Sequence, residues 1–146
     1  FIQDMSSKDV FQAGIDMEVA ITTEFDNSAS AVEISGLPEA LCTGEQTISP
    51  VFKIQNNGNN ALTSALITYN INGGDDQIYN WTGDLITLET ENVTLDPYTF
   101  TSGEENLLTT IISMPNGVED EDSTSNNTQT SMIGLAPMGN LDLTID

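Results

Sequence analysis

Four consecutive carboxylates, Glu119-Asp120-Glu121-Asp122, are the residues of this sequence with the most evident chemistry. Clustered carboxylate oxygens on a loop are the ligands a hard cation prefers, so these four are the candidate metal ligands and calcium is the candidate cofactor. The run lacks the Asp-x-Asp-x-Asp-Gly order of an EF-hand loop. Adjacent acids also repel one another, and the plainer reading is a hydrated loop. Asp75-Asp76 is a weaker version at a hairpin tip, where acids are ordinary.

The second candidate is aromatic. Tyr79 and Trp81 stand two residues apart. At strand spacing they share a face, which places them as candidate ligand residues on a sugar-stacking surface if that face is external. If it is internal they are core, and a sandwich needs large residues between its sheets, which favours core for Trp81.

Catalysis finds little support. The chain has no histidine, so Ser-His-Asp and Cys-His chemistry is excluded within it. Among 23 acidic residues some pair lies at glycosidase distance by chance, so no pair stands out. The expectation is a chain that is not an enzyme and has no catalytic residue. Cys42 is the single cysteine and cannot close an internal disulfide. It reads as a small buried residue, or as one that pairs outside this segment.

Charge bounds the partners. Lys8 and Lys53 are the only basic residues, and the formal net charge is −21. That field repels nucleic acid and anionic membrane surfaces. No run is long and apolar enough for direct membrane insertion. The sequence starts at Phe1 and ends within a strand-like run, so it reads as a piece of a longer protein whose partners include the flanking domains of the same polypeptide.

The elements that would position these residues are strands. Ile15, Met17, Val19 and Ile21 alternate with more polar neighbours, which predicts an extra N-terminal strand reaching Phe25. Short strands follow around Val32 and Ile34, over Ile48–Gln55 and over Ala65–Ile71, where Ile67, Tyr69 and Ile71 share a face. Asn56-Asn57-Gly58-Asn59-Asn60 is a strong turn signal, and Asn72-Gly73-Gly74-Asp75 is a hairpin turn that needs positive φ. Gln77–Thr82 pairs back and stops at Gly83-Asp84. Further strands are expected over Asn92–Leu95, Glu104–Met114 and Asn127–Leu135. This rhythm predicts an all-β, immunoglobulin-like antiparallel sandwich of about seven strands. The expected organisation is an N-terminal segment or end of a preceding domain over 1–30, the sandwich over 31–135, and a linker with the start of a following strand over 136–146.

Several stretches carry a family resemblance. Leu41-Cys42-Thr43-Gly44-Glu45, Phe52-Lys53-Ile54-Gln55-Asn56-Asn57-Gly58, Tyr69-Asn70-Ile71-Asn72-Gly73-Gly74, Met114-Pro115-Asn116-Gly117 and Ser125-Asn126-Asn127 are similar to CARDB-type, cell-adhesion-related immunoglobulin-like domains. The resemblance is to modules of secreted Bacteroidota proteins, including Omp28-like outer membrane proteins, many of them cargo of type IX secretion. It implies an extracellular or outer-membrane surface location. It also implies a non-catalytic spacer or adhesion module that contacts a surface protein or glycan. No Cys-x-x-Cys motif is present, so no redox role carries over. The alternative is a carbohydrate-binding module accessory to a secreted hydrolase, with Tyr79 and Trp81 as its platform.

Overall fold

Period-two patterning becomes sheet throughout the computed structural model, which describes residues 22–122 and 125–134. In chain order the strands are β1 (Ala29–Ser35), β2 (Gly44–Ile48), β3 (Val51–Asn56), β4 (Leu62–Ile71), β5 (Gln77–Leu85), β6 (Thr90–Thr94), β7 (Tyr98–Ser102), β8 (Leu107–Ser113) and β9 (Thr128–Met132). No α-helix occurs among the described residues. The expected strand from Ile15 lies outside them except at its end, where Phe25 bridges to Gly58. The proposed linker over 136–146 also lies outside them.

About seven strands were predicted and nine are found, for a reason visible in two prolines. β1-β3-β6 form one antiparallel sheet and β2-β7 a separate pair. The β2–β7 ladder ends at Ile48↔Tyr98 and the β3–β6 ladder begins at Val51↔Thr94. Pro50 and Pro97 fall in the gap, one on each side. Proline has no N–H to donate, so a ladder breaks where it sits. A single bond from the Leu95 N–H to the Pro50 carbonyl, 2.9 Å, spans the break. Rejoined across it, nine strands are seven.

The second sheet has the order β5-β4-β8-β9. Its inner face meets that of the first. Phe52 and Ile54 from β3 share one buried cluster with Ile67 and Tyr69 from β4, and Leu108 and Ile112 from β8. Each such side chain contributes about 1.5–3 kcal/mol by leaving water.

Two local expectations are corrected. β5 does not stop at Gly83-Asp84 but runs to Leu85, with an irregularity opposite Leu62–Ser64. The Trp81 indole lies over Gly83, and a Cβ there would stand 2.8 Å from the ring's Cη2. Gly83 is thus the seat of the tryptophan rather than a strand breaker. In β1 the register shifts between Ala31 and Glu33, so Ala29 and Ala31 are buried while Val32 faces solvent.

Asparagine holds the turns. Asn72 and Gly73 adopt φ 54° and 71°, and the Gly74 N–H reaches the Ile71 carbonyl at 2.9 Å, the hairpin geometry the sequence required. The Gly73 N–H donates to Asn70 Oδ1 at 3.2 Å. In the 56–60 turn the Asn56 side chain is buried. Its amide donates to the Leu85 and Asn60 carbonyls at 2.8 and 2.9 Å, and its Oδ1 accepts the Gly58 N–H at 2.8 Å.

The strand directions fix two poles. β1 starts beside Asn56, while β9 ends opposite Leu107, with Ile133 and Gly134 bonded to Asn106 and Pro38. The 56–60 turn lies where β4 begins and Leu107 where β4 ends. The described chain therefore joins the sandwich at one pole and leaves it at the other.

Replacing Asn56 by Ala is expected to cost roughly 2–4 kcal/mol, because two carbonyls and an N–H lose their partner in a buried turn; urea unfolding measures this. Tyr69 gives a pH signature. Burial pushes its phenol above the ordinary 10.0, with the Asp96 charge adding to the rise, while its hydroxyl donates to the Asp96 carbonyl at 2.9 Å. The folded state holds this proton more tightly than the unfolded state. The contribution is therefore present below the unfolded pKa and lost as pH rises through the folded one. Urea midpoints measured from neutral to strongly alkaline pH should fall more steeply for the parent chain than for Tyr69→Phe.

Candidate functional site

The acidic loop forms at the first pole. β8 ends at Ser113, and the chain turns through Met114 and a 3-10 turn at Pro115–Gly117, with Met114 and Asn116 at φ 53° and 54°. Asn116 fixes this turn. Its amide donates to Asn27 Oδ1 at 2.9 Å and to the Ala61 carbonyl at 3.0 Å. Its Oδ1 accepts the Thr63 N–H at 2.7 Å and hydroxyl at 3.0 Å. The Gly117 N–H closes on the Met114 carbonyl at 2.9 Å.

The carboxylates that follow are turned onto backbone N–H groups. Glu121 Oε1 accepts from Asp26 at 2.6 Å and Asn27 at 2.9 Å, and the Glu121 N–H returns a bond to the Asn27 carbonyl. Asp120 Oδ2 accepts the Ala29 N–H at 3.0 Å and the Asn127 amide at 2.8 Å, while its Oδ1 accepts the Asp122 N–H at 3.0 Å. Asp122 takes the Asn126 amide at 2.8 Å. Glu119 faces solvent. Charged acceptors make hydrogen bonds about twice as strong as neutral ones, so the loop stitches the segment before β1 to the turn after β8.

The structure thus brings Asp120, Glu121 and Asp122 together as acceptors of N–H groups. Among the described residues no group of three or more carboxylate or thiol side chains is arranged to hold a metal ion. Ser28, between Asn27 and Ala29, is fully buried and its hydroxyl lacks a hydrogen-bond partner.

Tyr79 and Trp81 do share a face, as their spacing required, but it is the inner one. Trp81 is 4% exposed, Tyr79 packs against the core, and the indole N–H donates to Glu91 at 3.1 Å. Tyr79 stays partly exposed, and Trp81 lines a shallow depression. Cys42, read as buried, is exposed on the loop before β2, and its carbonyl accepts the Gln46 amide.

Sequence reasoning missed the outer face of the four-stranded sheet. The cross-strand row Ile78–Thr68–Ile111–Thr128 and its neighbour Asn80–Leu66–Ser113 carry no charge in a chain of −21. A shallow depression of 230 Å³ lies beside them, lined by Ser64, Leu66, Asn80, Trp81, Thr82 and Met114 among others. The signal was in the sequence: along these rows the polar half of the alternation is Thr, Ser and Asn rather than Asp and Glu.

No family model matches the chain, and no curated protein is significantly similar to it. Solved structures are. The CARDB domain of a Pyrococcus furiosus protein, determined in complex with di-metal ions, superposes with a TM-score of 0.54 at 21% identity, over 82% of this chain and 97% of that one. A domain of a Methanosarcina acetivorans protein assigned to the cell surface gives 0.53 at 23% identity, over 75% and 92%. The solution structure of the same Pyrococcus domain gives 0.52 at 18% identity. The fold is therefore the immunoglobulin-like sandwich of CARDB domains.

Asp120→Asn and Glu121→Gln should each lower stability by roughly 1–3 kcal/mol with calcium absent, since the charged acceptors act without a cation. Millimolar calcium should leave the parent melting temperature unchanged; a clear rise would restore the loop as a metal site. Ser28→Ala removes an unpaired hydroxyl and should be neutral or stabilising by about 1 kcal/mol in the same melts.

Proposed function

We propose that this chain is a non-catalytic extracellular module that spaces neighbouring domains of a longer surface protein and offers its uncharged sheet face and loops for contact. The observation that carries the reading is the placement of the first and last described strands, which join the sandwich at opposite poles. A domain so threaded extends a chain rather than doubling it back. Its longest strand, β4, has ten residues, or about 33 Å at the usual rise.

Several features support this reading over the alternative. A carbohydrate-binding module would use Tyr79 and Trp81 on an open face, and Trp81 is buried. A charge of −21 keeps such a module soluble and away from nucleic acid. Among the described residues no helix is long and apolar enough to cross a membrane. The Methanosarcina relative's surface assignment is in keeping with an extracellular setting. The Bacteroidota and type IX setting rests on the sequence resemblance. The di-metal ions belong to the Pyrococcus domain. Calcium at the acidic loop of this chain would share carboxylates that already accept the Asp26, Asn27 and Ala29 N–H groups.

The test is small-angle scattering of one, two and three copies fused in tandem. A spacer lengthens the particle by at least about 30 Å per copy. A maximum dimension that stays near that of a single copy would sink the reading.

A further inference from the structure

We propose that the first and last strands of the sandwich form a load-bearing clamp, in which Asp120, Asn127 and Gln129 hold β1 against β9 so that tension along the chain is resisted in shear. Its biological use rests on the spacer reading, because only a domain held between neighbours is pulled from its two ends.

β1 and β9 belong to different sheets, each at the edge of its own. The Asn127 amide donates to the Ala29 carbonyl at 3.2 Å, and the Gln129 amide to the Ala31 carbonyl at 3.4 Å. A step of two residues on one strand matches a step of two on the other in the same sense, so the strands run parallel. Asp120 adds a third bond through the Ala29 N–H and ties itself to the Asn127 amide. Three backbone groups at the start of β1 are thus taken by side chains from the 120–129 stretch.

A pull on the chain before β1 draws β1 out toward the first pole. A pull on the chain after β9 draws β9 toward the second. The two strands are driven past each other along their axes. The ladders on either side feel the same motion: β1 slides against β3, held from Ala29↔Asn56 to Ser35↔Val51, and β9 slides against β8, held from Leu107↔Met132 to Ile111↔Thr128. Bonds loaded along the strand axis share the force and must fail together. Bonds loaded across it fail one at a time, from one end. Glu121 secures the chain ahead of β1 through the Asp26 and Asn27 N–H groups, so the load reaches the clamp only after that latch is strained.

Cys42 makes the proposal testable within one molecule, since it is exposed and the single cysteine of the chain. It lies near the second pole: the Gly134 N–H bonds to the Pro38 carbonyl, and Gly134 packs against Leu41. The full chain is held in an optical trap in two ways, by its two ends or by Cys42 and the C-terminal end. The second geometry peels β9 from its last residue. The rupture force between the ends should exceed that of the peeling geometry by about twofold or more, since forced unfolding follows the barrier on the pulled path. Gln129→Leu should speed end-to-end unfolding at fixed force by about fivefold and leave the peeling geometry within about twofold of the parent. Equal rupture forces in the two geometries overturn the clamp, and that comparison needs no variant. Equal acceleration by Gln129→Leu in both makes Gln129 a general stabiliser and removes it from the clamp. Tandem copies that fail to lengthen while the force asymmetry holds would remove the spacer reading and leave the clamp standing.

Discussion

Everything outside the ladders depends on one interaction, the side-chain amide or carboxylate that satisfies a loop's backbone. Strands in a sheet pair their own N–H and carbonyl groups, but the turns at the poles cannot, and buried polar groups without partners are costly. Here Asn56, Asn72, Asn106, Asn116 and Asn127 each reach into a neighbouring turn or strand end. Asp120 and Glu121 do the same with full charge. The sheets would form without these residues, but the poles would not close.

The charge balance makes this economical. One ion pair, Lys53 with Glu33 at 3.9 Å, is found among the described residues, and both partners are partly exposed. Such surface pairs contribute little. With so few cations to meet, carboxylates stabilise the fold by taking backbone N–H groups, which keep their partial positive charge at any pH. Most of the other described acids are exposed to water. The exception is the middle of the outer face of β5-β4-β8-β9, where Thr, Ser, Asn and branched apolar side chains form two uncharged cross-strand rows.

Much of this was legible in the sequence. Alternation located β4 and its buried face, Ile67, Tyr69 and Ile71, and the Asn-Gly turn after it, because one face of each sheet is buried and period two follows from that. Strand ends were harder. Pro50 and Pro97 split two long strands, and only the pairing reveals that they lie opposite each other. Gly83 looked like a breaker because its partner is the indole of Trp81, a contact alternation cannot encode. The hydrogen bonds of the acidic loop were not legible. Glu119-Asp120-Glu121-Asp122 reads as hydrated or cation-binding because the N–H groups that claim it, at 26–29, lie more than ninety residues earlier in the chain. The resemblance to CARDB domains supplied the fold, and the chain's own residues supply the reason it closes.

The hydrogen-bonded turns also bear on how the molecule ages. Asn57-Gly58, Asn72-Gly73 and Asn116-Gly117 are the pairings most prone to lose ammonia, through attack of the glycine nitrogen on the preceding side-chain carbonyl. In the fold each of those nitrogens is already committed: Gly58 to Asn56, Gly73 to Asn70 and Gly117 to the Met114 carbonyl. The bonds that shape the turns therefore also guard the covalent chain. Conversion to aspartate at these three positions becomes a record of the time a molecule has spent unfolded.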